Sequence, residues 1–309
     1  MADGLLIIGD VHISVTNPQR RIDDYFETVT KKLRWCMETS VILNCVPVIL
    51  GDLFDKPTDI PPYVFTKLFE ILSISKYKPV ILAGNHDLRY GSLFEKTALE
   101  TVEKSGLARV AKTVGYIETE YCSIYTVPYG QEAPKKLEKP APMITHHEWA
   151  FVSLEKIKKG NKPLMYIENC PIVFNGHLHS FQETAKKGDT VYFNTGSIVR
   201  LTKTDKDLKP TVWEWKEGME KPIPHTVPHE PAEIVLNLAD TLVDTAPVLE
   251  NSEFAANLQQ LSEKNSTEDA SLLAEILLEE IDKEQVSVST REILKELFRE
   301  TTGKELEYV

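Results

Sequence analysis

At 309 residues and 42% hydrophobic content, the chain can bury a core for one large domain with an appendage, or for two domains, and reads as globular. The formal charge of -12 is unevenly divided: residues 229–309 hold 19 acidic and 6 basic side chains, net -13, leaving 28 acidic and 29 basic, net +1, for 1–228, a part that a phosphodiester can approach without strong repulsion. Cys36, Cys45, Cys122 and Cys170 form no C-x-x-C pair, no apolar run is long enough to span a bilayer, and Met1 to Ile8 is too short for a signal peptide and lacks its basic start, so neither a disulfide framework, membrane insertion nor export is expected, and a reducing cytoplasm is.

Leu5 to Ile8 is a buried-strand run, and Ile22, Tyr25, Phe26, Val29, Leu33 and Met37 then mark a helix face. Val48 to Leu50 is the next strand. Pro61 and Pro62 open a helix with stripe Val64, Leu68 and Leu72, and Val80 to Leu82 follows as a strand. Further strands are expected at Ser123 to Val127, Met143 to Thr145, Pro171 to Phe174, Val191 to Phe193 and Thr211 to Trp215, which together predict an α/β layered fold. Pro222, Pro224, Pro228 and Pro231 read as a linker. Beyond it, Ser266 with Asp269 and Ser289 with Glu292 resemble capping boxes, opening helices with faces Leu272, Leu273, Ile276, Leu277, Ile281 and Ile293, Leu294, Leu297, Phe298. The predicted boundaries are 1–202 for the main domain, 203–232 for a short capping segment and linker, and 233–309 for an acidic helical region.

The chemistry-bearing motifs each follow an apolar strand: Gly9-Asp10-Val11-His12, Gly51-Asp52-Leu53-Phe54-Asp55, Gly84-Asn85-His86-Asp87, His146-His147 and Gly176-His177-Leu178-His179. In extended chain the D-x-H spacing sends Asp10 and His12 to one side, and loops beyond the carboxyl ends of strands converge on one crevice. Oxygen and imidazole donors without thiolate suit Mn²⁺, Fe²⁺ or Zn²⁺, and they are too many for one ion. Two ions about 3.5 to 4 Å apart need a bridging carboxylate such as Asp52. Any one motif alone is a common turn or surface feature; five in order are not.

These motifs resemble those of the calcineurin-like metallophosphoesterases, whose pattern is D-x-H, G-D, G-N-H-[DE], a later His and G-H-x-H, over residues 5 to about 200. The resemblance implies a sheet sandwich flanked by helices and two divalent ions, with Asp10, His12 and His179 on one, Asn85, His146 and His177 on the other, and Asp52 bridging. It favours His146 over His147 as ligand. It makes His86 a catalytic group that protonates the leaving oxygen or steadies transition-state charge, with Asp87 orienting it. His225 and His229 receive no role.

Protein phosphatases of that superfamily usually read G-D-x-x-D-R-G and G-N-H-E, unlike Gly51 to Pro57 and Gly84 to Asp87 here. Gly51 to Pro57 and Asn194 to Thr202 are instead similar to SbcD-type nuclease subunits, relatives of the Mre-type repair nucleases, although Thr195 replaces a usual proline and Asp55 stands where archaeal and eukaryotic relatives often place a His. That resemblance implies a Mn-dependent DNA exo/endonuclease in which a hydroxide shared by two ions attacks phosphorus, with Fe, Zn or Mg as alternative metals. It implies a role in DNA repair, recombination or phage DNA processing, with a compact form of phage or prophage type. It also implies docking of the C-terminal helices on an SMC-like coiled-coil ATPase, in a heterotetramer containing a nuclease homodimer. A stand-alone phosphodiesterase or phosphatase acting on a small molecule is the alternative. Arg20, Arg21, Lys56, Arg89, Tyr90 and Arg200 lie near the motifs as candidate DNA contacts.

Overall fold

A computed structural model of the chain describes residues 1–18, 20–89, 92–151, 162–219 and 221–239. The chain divides into two units, Met1–Ala239 and Asp240–Val309; the capped helices expected around Ser266 and Ser289 lie outside the described residues.

Strand β1 (Gly4–Ile8) is buried along its whole length, as expected of a central strand covered on both faces. It pairs in parallel with β2 (Cys45–Ile49), which continues to β3 (Val80–Leu82) and β4 (Arg109–Ala111). On its other side β1 pairs antiparallel with β11 (Thr211–Trp215), and β12 (Ile223–Thr226) closes that edge. The second sheet runs β5 (Gly115–Glu118), β6 (Ser123–Val127), β7 (Met143–Thr145), β8 (Ile172–Asn175), β10 (Thr190–Asn194) and β9 (Gln182–Lys187).

Side-chain alternation along β1 builds two cores. Leu5 and Ile7 meet Ile144, Ile172, Phe174 and Phe193 of the second sheet. Leu6 and Ile8 face the helices, where they cluster with Val29, Leu33 and Met37 of α1 (Tyr25–Ile42), Leu68 and Ile71 of α2 (Pro62–Leu72), and Leu99 and Val102 of α3 (Ala98–Ser105). The outer face of the second sheet buries Met143, Val173, Tyr192 and Trp149. This is an α/β fold of two mixed sheets face to face with helices outside.

Local chemistry sets the helix limits. Asp24 caps α1 by accepting from the Glu27 amide at 3.0 Å, so the helix starts after Ile22, which is exposed rather than on the packed face. Thr97 caps α3 and Gly106, in the left-handed region, ends it. The segment 203–232, set apart by its prolines as a capping segment and linker, supplies β11 and β12 to the first sheet. Pro224 is accommodated because β12 is an edge strand, where a missing N–H costs no ladder bond. The short helix α4 (Ala232–Val235) completes the described part.

Candidate metal centre

Each motif occupies the loop leaving the carboxyl end of β1, β2, β3, β7 or β8, all strands of the two parallel cores. Close approach there depends on glycine: a Cβ at Gly84 would overlap Asp52 Oδ1, and one at Gly176 would sit 2.8 Å from Asp10 Oδ1 and 2.9 Å from His146 Nδ1. His12, Asp52 and His177 all hold left-handed backbone, φ 54°, 48° and 71°. Such conformations cost on the order of 1–3 kcal/mol each and persist only where surrounding structure enforces them. Asp10 and His12 are therefore not in extended chain, contrary to the expectation from the D-x-H spacing. β1 stops at Ile8, and it is the left-handed turn at His12, not strand alternation, that returns its imidazole to Asp10.

Three groups of donor atoms result among the described residues: the two that contain the expected ligands, and one of His12, Asp55 and His86. Asp10, His12 and His179 form the first: His12 Nε2 and His179 Nε2 lie 3.0 Å apart, and His179 Nε2 is 3.6 Å from Asp10 Oδ2. Asp52, His146 and His177 form the second, with Asn85 Oδ1 at 3.0 Å from His146 Nε2 and 2.9 Å from His177 Nδ1. Asp52 Oδ2 stands between the groups, 3.2 Å from His146 Nε2 and 3.8 Å from His12 Nε2. All seven expected ligands are thus brought together. Asp10 Oδ2 is buried without a hydrogen-bond partner, and two imidazole nitrogens face one another beside it; such convergence is satisfied by a cation, so the residues fit two divalent ions.

Surrounding groups fix the ligand atoms. His146 Nδ1 donates to the Leu50 carbonyl at 2.8 Å, which leaves Nε2 facing the cluster. His147 turns away against Trp149, and burial, aided by Lys162 and His146, pushes its imidazole down to about 3. His177 offers Nδ1 inward while Nε2 lies 3.3 Å from Glu148 Oε1. Sequence reading missed Glu148; the signal was the carboxylate directly after the His146-His147 strand end.

His86 packs edge-on against His12, centroids 4.9 Å apart, and its backbone amide donates to Asp52 Oδ1. The expected orienting partner is corrected. Asp87 directs its carboxylate to three backbone amides, Gly84, Leu53 and Phe54, whereas His86 Nδ1 donates to the Asp55 carbonyl at 2.8 Å. Asp87 ties the β3 loop to the β2 loop, and Asp55 aligns the ring. The Asp55 carboxylate also lies 3.7 Å from His12 Nδ1.

Burial disfavours charge on His146, yet Asp52 outweighs it and raises the imidazole to about 9. Conversely, burial works against an ionised Asp52, but His146, His12 and His86 hold its carboxyl well below the usual range. A field that draws a proton onto His146 draws divalent cations in the same way.

Three arginines near the motifs are structural. Arg200, 6% exposed, donates to the Leu208 and Glu230 carbonyls; Arg21 donates to the Arg200 carbonyl and pairs with Asp23; Arg20 donates to the Ala239 carbonyl. Arg20 and Arg200 clasp segment 203–239 to the domain, and Arg21 ties Asp23 to the Arg200 carbonyl. Gly196 and Ser197 do serve the site: Ser197 Oγ donates to the Asp10 carbonyl at 2.9 Å and its amide to that of His179. His225 pairs with Glu214 at 3.0 Å, remote from these clusters in the edge hairpin.

A family model described as calcineurin-like phosphoesterase matches residues 5–181, more than half of the chain. A crystal structure of a hypothetical protein from Thermus thermophilus is similar at 12% identity and TM-score 0.42, covering 72% of this chain and 98% of its own, too loosely to carry an argument. No curated protein matches the sequence.

Proposed function

This chain belongs to the calcineurin-like phosphoesterase family, and on that premise we propose that it is a Mn²⁺-dependent DNA nuclease of the SbcD type, acting with an SMC-like ATPase bound through residues 240–309. The observation that carries the reading is the pair of donor groups flanking Asp52 with His86 beside them. The family binds two divalent metals and hydrolyses phosphate esters. The narrower choice of DNA is supported by the similarity of Gly51 to Pro57 and Asn194 to Thr202 to such nucleases, and by the near-neutral charge of residues 1–228.

Asp10, His12 and His179 would hold one ion, Asn85, His146 and His177 the other, with Asp52 shared. Bound ions supply Lewis acidity to the phosphate and an activated water at neutral pH. The chain's own groups do the rest. The Asp55 carbonyl holds Nδ1–H of His86, so Nε2 is the atom that carries a proton to the departing sugar oxygen. Asp87 keeps the His86 loop against the Asp52 loop, fixing the ring relative to the bridging carboxylate.

The test is H86A with metal content measured alongside turnover of linear DNA. Removal of a positioned general acid lowers the rate by about 10²- to 10⁴-fold while both ions stay bound. Undiminished DNA cleavage would refute the assignment of His86. Turnover by the unaltered chain confined to small phosphodiesters would refute the nuclease reading, and co-purification of a coiled-coil ATPase lost on deleting 240–309 tests the partner.

A further inference from the structure

We propose that the cleft beside the first donor group is a subsite for one nucleobase of the strand being cleaved; this rests on the nuclease reading above. The cleft encloses about 380 Å³, within the size range of small-ligand sites, and its walls include Ser180, Phe181, Thr195, Asp207, Lys209 and Trp213.

Its position follows from the chain. Ser180 directly follows the candidate ligand His179, and Thr195 lies two residues before Ser197, whose hydroxyl and amide donate to the Asp10 and His179 carbonyls. An occupant of the cleft therefore rests on the chain segments that carry His179 and the Ser197 brace of Asp10. Nearest in a nucleic acid to the scissile phosphate is a flanking nucleoside.

The walls suit a flat ring with a polar edge. Phe181 stacks on Trp213 with centroids 5.2 Å apart and planes at 21°, and Phe193 meets Trp213 edge-on at 4.8 Å. The Trp213 indole is fixed by donating to the Thr195 carbonyl at 3.2 Å. The Phe181 backbone is held close by Gly196 at φ 73°, where a Cβ would come within 3.0 Å of the Phe181 nitrogen. Although braced on one face, Phe181 remains 45% exposed. A rigid aromatic with an open face is what base stacking uses, and stacking is indifferent to sequence. Asp207 and Lys209, with the hydroxyls of Thr204 and Thr211, offer acceptors and donors for a base edge. A purely apolar occupant would desolvate those groups without pairing them.

The experiment is a cycle between protein and ligand. Binding of a short fluorescent oligothymidylate, intact or with a single abasic position moved along it, is read by anisotropy in an H86A background so that the ligand survives. With Phe181 present, one abasic position weakens binding by about 5- to 150-fold, the range of one base–aromatic stack. In F181A and in F181L, which keeps apolar volume without a ring, the intact oligonucleotide binds as weakly as the abasic one, and thermal midpoints verify that both variants are folded. Equal abasic losses with and without Phe181 overturn the subsite while leaving DNA cleavage by the unaltered chain, and so the nuclease reading, intact. Absence of both binding and cleavage by the unaltered chain sinks the nuclease reading itself, and the subsite with it. Should F181A not fold, the abasic scan on the Phe181 protein decides: loss at one position supports the subsite, uniform tolerance overturns it.

Discussion

The His177 ring is held from both sides, Nδ1 towards Asn85 and the donor group, Nε2 towards Glu148. A carboxylate on the outer nitrogen fixes the tautomer and raises ligand basicity, which in metal sites is worth about 10- to 100-fold in affinity. Glu148 is half-exposed, so the lower end applies: E148A should weaken Mn²⁺ binding about tenfold by titration calorimetry, with E148Q intermediate. Lys32 poses a different question. Buried, with Nζ donating to the Ile198 carbonyl at 2.9 Å, it is lowered to about 7 by desolvation and by Arg21 and Arg200. Between pH 7 and its unfolded value the denatured chain binds a proton that the fold has released, so this group makes stability rise with pH across that window. Urea midpoints at pH 7 and pH 9 should show the native chain gaining about 1–2 kcal/mol relative to K32M. Residue types and order made the seven candidate ligands, which the fold brings together, legible in the sequence. What was not legible were contacts that depend on loop geometry: the Asp55 carbonyl on His86, Glu148 on His177, and the turn of Arg200 inward onto backbone carbonyls.

The loops that carry the ligands depend on positions without side chains. Because a Cβ at Gly84 would overlap the Asp52 carboxylate, G84A should displace the shared ligand and abolish stoichiometric binding of two ions, as counted by plasma emission after dialysis. Preserved two-ion stoichiometry would show that the β3 loop can give way. The elements themselves divide by burial. Strands β1, β2, β3, β7, β8 and β10 announce themselves because they are buried along their whole length and largely apolar, while β6 and β11 show through the β-branched and aromatic residues of a half-buried strand. The others do not: β9 reads Gln182 to Lys187 with scarcely an apolar side chain, β12 contains Pro224, and both are edges whose pairing comes from a neighbour rather than from their own pattern. Helix α3, an eight-residue element with only Ala98, Leu99 and Val102 buried, is too short for its period to stand out.

The proline-bearing stretch marks a change in charge more than an end of the fold. Residues 203–239 are held in the first unit by Arg20, Arg21, Arg200 and two strand pairings, so a chain ended at Ala239 should melt cooperatively and bind two ions, whereas one ended at Thr202 should be insoluble. Thermal melts and sedimentation of the two truncations decide this. The reason lies in the pairing of Leu5 with Trp215 across nearly the whole described chain. A ribosome delivers β1 about 200 residues before its antiparallel partner β11, so until then the strand that leads into Asp10 keeps one flank of unpaired amides and carbonyls. Such non-local closure is slow and leaves a template for wrong pairing. In a cell, then, assembly of this fold waits on the emergence of β11.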